Sequence, residues 1–245
     1  MPFKSEKITY GLPRDAYEQE KMNALADDLK GVIGLEKQLA GVQFFFTKEA
    51  YDACEVQEIK GGAPYCVMVQ KAIRGMEFKS RLENHKCDGG TTALALEKST
   101  DRIESGTEYF SYNLFDSPAA ARRLRNSIKS LHAYKPLTYG IVVRPFVNCT
   151  EQPDVIIGIV NAYQSMRIVQ GYEYYSGIKP EIDMGAMQGM CSEVTAAPYI
   201  TGNMNVSVLC PSTRMLCRWE ESDMAVGIPF HQFENIVKGV MATKY

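Results

Sequence analysis

The run Val155-Ile156-Ile157-Gly158-Ile159-Val160 forms the most apolar strand candidate in the chain, and it decides the fold class. A second apolar run, Gly140-Ile141-Val142-Val143, precedes it, and such continuous runs predict strands that are buried on both faces. Amphipathic helices are predicted elsewhere, for example from Arg14 to Ile33 and from Asn161 to Tyr174. Strands and helices alternate along the whole chain. We therefore expect a layered α/β fold, with helices packed on mixed sheets.

The composition narrows the class of protein further. The 245 residues suit a single domain over residues 1–245, with 45% hydrophobic and 23% charged residues as in ordinary globular chains. A net charge of -2 argues against nucleic-acid binding, which usually requires a basic excess. The polar start Met1–Lys7 does not resemble a signal peptide, and no window approaches the roughly 20 apolar residues of a membrane helix. We therefore expect a soluble, cytoplasmic protein whose thiols stay reduced.

Cysteine is the residue type that points to chemistry. The chain has seven cysteines, an odd number that argues against a closed disulfide framework. Four of them fall at predicted helix N-termini, namely Cys66, Cys87, Cys191 and Cys210. A helix N-terminus carries unpaired N–H groups and partial positive charge, which lower a thiol pKa and favour the thiolate that binds metal. Gly89 and Gly90 follow Cys87 and would let the backbone approach a cofactor closely.

The spacing of these cysteines leaves two interpretations open. Free cysteine is one of the most buried residue types and often serves only as a small apolar side chain. The chain contains no C-x-x-C pair, the spacing typical of zinc ribbons and ferredoxins. The four thiols therefore predict either a metal site or core packing. Cys54, Cys149 and Cys217 are predicted to be packing residues.

The four cysteines also fall into two similar units. In each unit a strand is followed by a helix that begins at the first cysteine, and a second strand ends at the second cysteine. Cys66 and Cys87 are 21 residues apart, and Cys191 and Cys210 are 19 residues apart. This pattern predicts an internal duplication with halves 35–135 and 136–245. A pseudo-twofold axis between the halves would bring the four thiols together.

Several motifs around the cysteines resemble those of a known family. They are Pro64-Tyr65-Cys66, His85-Lys86-Cys87-Asp88-Gly89-Gly90, Pro198-Tyr199-Ile200-Thr201-Gly202, Cys210-Pro211-Ser212-Thr213-Arg214 and Met224-Ala225-Val226-Gly227-Ile228-Pro229. From about Leu35 onward the chain is similar to the bacterial and archaeal family named domain of unknown function one hundred and sixty-nine. The family pattern has cysteine at all four positions, and such a set in proteins common in anaerobes implies a [4Fe-4S] cluster. This chain departs from the family at Asp88, where proline is more common, and an acid there would lower the cluster's reduction potential.

The resemblance thus implies a cytosolic iron–sulfur protein with a small-molecule site beside the cluster. A cluster with an open iron position would suit a lyase, and a cluster saturated by cysteine would suit redox chemistry. Three alternatives stay open: a zinc protein with the same ligands, a metal-free ligand-binding protein, and a thiol enzyme that uses Cys87 or Cys210. The partner would be a small-molecule substrate or a redox protein. Whether the chain forms a homo-oligomer is left open.

Four further residues are candidates for catalytic roles. His85 could donate a proton or simply form a hydrogen bond with the backbone. Glu193 could act as a general base, or its carboxylate could only interact favourably with the helix dipole. Arg214 could hold a substrate carboxylate or form an ion pair. Tyr199 could direct its hydroxyl into the site or pack in the core. The local sequence does not choose between these roles.

Overall fold

A computed structural model describes residues 17–131 and 137–243 of the chain. Its centre is a six-stranded sheet. The strands are β1 (Ala40–Phe45), β2 (Phe78–Arg81), β3 (Gly140–Pro145), β4 (Val155–Val160), β5 (Asn205–Ser207) and β6 (Met224–Pro229). Their order across the sheet is β2-β3-β1-β4-β6-β5, and every neighbouring pair is antiparallel. The predicted layered α/β class is confirmed, but the sheet is a single antiparallel one and not the mixed sheets that were expected, because every neighbouring pair of strands runs antiparallel.

Helices connect the strands and form the outer layers. They are α1 (Gln19–Ile33), α2 (Lys48–Ala53), α3 (Tyr65–Ile73), α4 (Asp88–Ala93), α5 (Asp101–Glu104), α6 (Thr107–Ser111), α7 (Pro118–Ser127), α8 (Ala162–Ser176), α9 (Ala197–Thr201), α10 (Pro211–Cys217) and α11 (Phe230–Ala242). A π-helix, Gly189–Ala196, leads directly into α9. The first residues of the helix predicted from Arg14, residues 14–16, lie outside the described residues.

Two hydrophobic cores lie on opposite faces of the sheet. Val155, Ile157 and Ile159 of β4 belong to the first core, together with apolar residues of α3 and the π-helix. Ile156 and Val160 belong to the second core, with α1, α8 and α11. Successive strand residues point to opposite faces, so a strand covered on both faces needs an unbroken apolar run. This explains why the sequence of β4 does not alternate with polar residues.

The order of the strands is the same when read from either edge. The set β1, β2 and β3 occupies one half of the sheet, and β4, β5 and β6 occupy equivalent places in the other half. This division does not coincide with the predicted halves 35–135 and 136–245, because β3 falls in the second of them. A shared strand order is also not a match of residues or coordinates. The duplication therefore stays a prediction. Its boundary between residues 135 and 136 lies outside the described residues.

Within residues 17–131 and 137–243, none of the helices combines the length and the apolar composition that crossing a bilayer demands. The segment Met1–Lys7, on which the expectation about a signal peptide rests, lies outside those ranges.

Candidate functional site

The four predicted cysteines line one cavity of about 650 Å³. Cys66 is the second residue of α3, and Cys191 is the third residue of the π-helix. Cys87 and Cys210 are the residues immediately before α4 and α10. Each cysteine therefore lies at the start of a helix, as the sequence predicted. The fold brings these four helix starts to a common cavity, which we call the four-cysteine cavity.

Close backbone contacts hold the Cys191 segment against the other cysteine segments. The Cys191 Sγ lies 4.0 Å from the carbonyl oxygen of Gly89. A Cβ atom added to Gly189 would lie 2.7 Å from the Cα of Leu209 and 2.9 Å from the backbone nitrogen of Cys210. Only glycine allows so close an approach. The π-helix is thus positioned by contacts with both Cys87 and Cys210 loops.

Desolvation opposes ionisation of two of the four thiols. Burial raises the pKa of Cys191 well above its usual value, and the neighbouring Cys87, Cys210 and Cys66 thiols raise it further. The surrounding protein also raises the pKa of Cys87 by displacing water from its thiol, although the residue is exposed and the backbone N–H groups of Gly90 and Gly89 act in the opposite direction. The prediction that helix N-termini lower these pKa values is wrong at these two positions, because desolvation outweighs the N–H groups. A bound cation would offset the cost of several thiolates here.

Cys66 differs because it shares a hydrogen bond with Cys217. This interaction lowers the pKa of Cys66 and raises the pKa of Cys217. Cys217 is fully buried at the end of α10, behind the four-cysteine cavity lining. The sequence predicted it to be a packing residue, and the structure adds this contact to a cavity thiol. Cys149 packs in the second core.

Gly89 and Gly90 both line the four-cysteine cavity, but their surroundings differ. A Cβ on Gly89 would lie 3.2 Å from the Tyr109 hydroxyl and 3.3 Å from the Gln188 Nε2. A Cβ on Gly90 would meet nothing closer than the Tyr65 Cβ at 3.7 Å, an ordinary contact. That either glycine lets the backbone approach a cofactor closely stays a prediction.

Two of the predicted catalytic side chains pack away from the four-cysteine cavity. His85 is buried beside the ring of Tyr65, with 6.4 Å between ring centroids, and its Nε2 lies 3.1 Å from the Ser80 Oγ. Burial lowers the pKa of His85 to about 4, so its ring is neutral at physiological pH. Tyr199 packs edge-on against Phe44, with 4.9 Å between centroids.

Arg214 also lies outside the cavity lining. Its guanidinium donates hydrogen bonds to the carbonyl oxygens of Val208 at 2.8 Å, Asp223 at 2.7 Å and Glu220 at 3.0 Å. These bonds fasten the loop before β6 to the end of β5. With its donors directed at backbone oxygens, Arg214 is placed to stabilise the loop.

Glu193 lines a separate small cavity of about 70 Å³. Its Oε1 accepts a hydrogen bond from the backbone nitrogen of Gly185 at 2.7 Å. Burial raises the pKa of Glu193 to about 7, against hydrogen bonds from Ser207 and Gly185 that lower it. Met187 lines both this cavity and the four-cysteine cavity, so the two cavities share a wall.

The structure adds cavity residues that the sequence did not single out. Tyr109, Tyr112 and Met215 line the four-cysteine cavity, as does Gln188 at the start of the π-helix. Gln188 has a φ of 52°, a conformation that is rare outside glycine and clusters at functional sites. Its place within the glycine-containing stretch 185–189 was the one sequence signal that could have drawn attention to it.

The four thiols do not form a ready-made site for a single metal ion. Within the described ranges, no group of three or more His, Cys, Asp or Glu side chains converges to hold a metal ion. A zinc ion requires four ligand atoms at about 2.0–2.3 Å from one point. An iron–sulfur cluster binds each cysteine through a different iron atom, so its four thiols surround the cluster and need not meet at one point. The N–H groups of Gly89 and Gly90 near Cys87 also suit a sulfur ligand.

Comparisons with known proteins give the family of the chain. The profile of the family DUF169, described as "Uncharacterised ArCR", matches residues 28–239. "Uncharacterized protein MJ0308" of Methanocaldococcus jannaschii is 22% identical over 221 residues, which cover 88% of this chain and 91% of that protein. No solved structure matches the chain. Because the family profile spans most of the chain, including all four cavity cysteines, the chain belongs to the DUF169 family.

Proposed function

We propose that this chain is an iron–sulfur protein that holds a [4Fe-4S] cluster in the four-cysteine cavity. The observation that carries the proposal is that Cys66, Cys87, Cys191 and Cys210, on four separate helix starts, line one cavity. Cysteine thiolates are the usual ligands of such clusters, with one thiolate for each iron. The remaining three cysteines lie outside the lining, so the cavity presents the number of thiols that the cluster needs.

The arrangement favours electron transfer over Lewis-acid catalysis. Four cysteine ligands leave no iron position open for a substrate, and a bound cluster then supplies one-electron transfer. The residues around it tune that chemistry. The Gly90 N–H donates to the carbonyl oxygen of Cys87 at 2.9 Å, which holds the Cys87 backbone at the start of α4, and the buried setting of Cys191 would limit water access to a cluster. We therefore propose a redox role. Lyase chemistry would require one cysteine to leave its iron atom, so that a substrate could bind there.

Anaerobic purification and reconstitution test the proposal. We expect about four iron and four acid-labile sulfide per chain, a broad absorption band near 400 nm that bleaches on reduction, and an electron paramagnetic resonance signal of the reduced cluster. Serine at each of positions 66, 87, 191 and 210 should abolish or strongly lower iron content. Cys54→Ser and Cys149→Ser are matched controls, because neither residue lines the cavity, and should retain iron.

Other outcomes would support the competing interpretations. If the purified protein contains one zinc ion per chain and shows no visible absorption, the four cysteines form a zinc site and not an iron–sulfur site. A protein that stays colourless and free of metal after anaerobic reconstitution would contradict the proposal. In that case the cysteines would be packing residues, or nucleophiles that selective alkylation would identify.

A further inference from the structure

Part of the lining of the four-cysteine cavity comes from segments that carry none of the four cysteines. Beyond the cysteine loops, the lining comes from the segment around α5 and α6 and from the exposed end of α10. Its large side chains are apolar or aromatic, namely Ile103, Tyr109, Tyr112, Leu114, Met215 and Leu216. Met215 is 71% exposed and Tyr112 is 59% exposed, so this wall reaches the surface. A volume of about 650 Å³ lies within the range of small-molecule sites, about 300–1,000 Å³.

The charged groups on this wall are compensated. Glu108 is paired with Arg102 at 2.6 Å and also accepts a hydrogen bond from the Tyr112 hydroxyl. Lys86 and Asp88 carry opposite charges on either side of Cys87. The lining therefore offers no cluster of basic groups for an anion, and thiolates would repel one. The wall suits an uncharged molecule.

One polar pair interrupts the apolar wall. The Gln188 Nε2 donates a hydrogen bond to the Tyr109 hydroxyl oxygen, while the Gln188 Oε1 has no partner among the described residues. Gln188 is 5% exposed, and a buried polar atom without a partner costs about 1–3 kcal/mol. Because a tyrosine hydroxyl can donate or accept, the amide can turn over, and either its oxygen or its NH₂ group is then left for a ligand.

We infer that the four-cysteine cavity also binds an uncharged, mainly apolar aromatic molecule, whose polar group pairs with the Gln188 amide. The inference rests on the proposed function for its position beside the cluster, and it names the class of molecule that the site takes. Tyr109 holds the amide in place, and Tyr112 and Met215 cover the ring. Gln188 and Tyr109 are thus positioning residues for the ligand.

Two isosteric probes test the inference. Naphthalene-2-carboxamide has an apolar ring body and an uncharged amide, and naphthalene-2-carboxylate differs mainly in its negative charge. We expect the amide to bind with a Kd of about 0.1–1 mM in calorimetry or saturation-transfer NMR, given its size. The carboxylate should bind at least tenfold more weakly. Gln188→Leu should weaken amide binding about tenfold, while Gln57→Leu, an exposed control, should leave the affinity unchanged.

The measurements are made on both the cluster-loaded protein and the iron-free protein. If iron never binds but the amide still binds and depends on Gln188, the inference stands while the proposed cluster fails. If the cluster forms but the two probes bind equally or not at all, the inference is overturned while the cluster stands. If Gln188→Leu does not fold, Tyr109→Phe removes the partner of the amide and should weaken binding several-fold. Unchanged affinity in both variants would contradict the inference.

Discussion

The Tyr65 hydroxyl lies 3.1 Å from the Thr195 hydroxyl and ties the helix that carries Cys66 to the π-helix that carries Cys191. Both residues are almost completely buried. The Thr195 hydroxyl also donates to the carbonyl oxygen of Met190 at 2.7 Å, so the Tyr65 hydroxyl is the donor in the shared bond. One hydrogen bond thus fixes the relative position of two proposed cluster ligands from the two halves of the chain.

Tyr65→Phe should therefore affect both folding and the cluster. Loss of a buried hydrogen bond should lower the free energy of unfolding by about 1 kcal/mol in urea denaturation. Because the two helices lose their link, the reconstituted cluster should also bleach faster in air. Tyr174→Phe is a suitable control, since Tyr174 is exposed and does not line the cavity. Equal bleaching rates for the two variants would show that this hydrogen bond does not affect the stability of the cluster.

Gly189→Ala should disturb the cavity through a steric clash. Its Cβ would lie 2.7 Å from the Leu209 Cα, so the π-helix must move away from the Cys210 loop. We expect a loss of about 1–3 kcal/mol in the free energy of unfolding, together with lower iron content. Gly31→Ala is the matched control, because nothing lies within 4 Å of its added Cβ and it sits inside α1. That variant should be as stable as the parent or slightly more stable.

Glu193 should make stability depend on pH. Its pKa is raised to about 7, so between pH 4.5 and 7 the folded state holds a proton that the unfolded state has released. The free energy of unfolding should therefore fall as the pH rises through this window. Glu193→Gln should remove that fall, a difference of about 1–2 kcal/mol after allowing for solvent screening. Parallel stability curves for the two proteins from pH 5 to pH 8 would contradict the raised pKa.

Arg214→Met tests whether this arginine stabilises a loop. The variant keeps an apolar stem but leaves the carbonyl oxygens of Val208 and Asp223 without their donor. We expect a loss of about 2 kcal/mol in thermal or urea unfolding. Arg123→Met, on the exposed face of α7, should change stability by less than about 0.5 kcal/mol. A role in substrate binding would instead leave stability near that of the control and lower ligand affinity.

The sequence predicts the helix starts that carry the cavity cysteines, but it does not predict the residues that line the rest of the cavity. The prediction that Cys66 and Cys210 begin helices follows from local signals, the prolines at positions 64 and 211, and it agrees with α3 and α10. Tyr109 and Gln188 carry no such signal, because their meeting depends on how α6 packs against the π-helix. The roles suggested for His85 and Arg214 rested on nearness to a cysteine along the chain. In the fold, their side chains point to other partners.

Local sequence patterns were enough to predict β3, β4 and the helix starts at the four cavity cysteines, because apolar runs and capping residues act over a few neighbouring positions. The continuous run Val155–Val160 implied a strand covered on both faces, and two cores enclose it. Long-range packing, in contrast, brings Cys66, Cys87, Cys191 and Cys210 to one cavity. Packing also makes burial outweigh the helix N-terminus at Cys191. Both results depend on long-range packing, which sets distances and solvent access that local spacing does not contain.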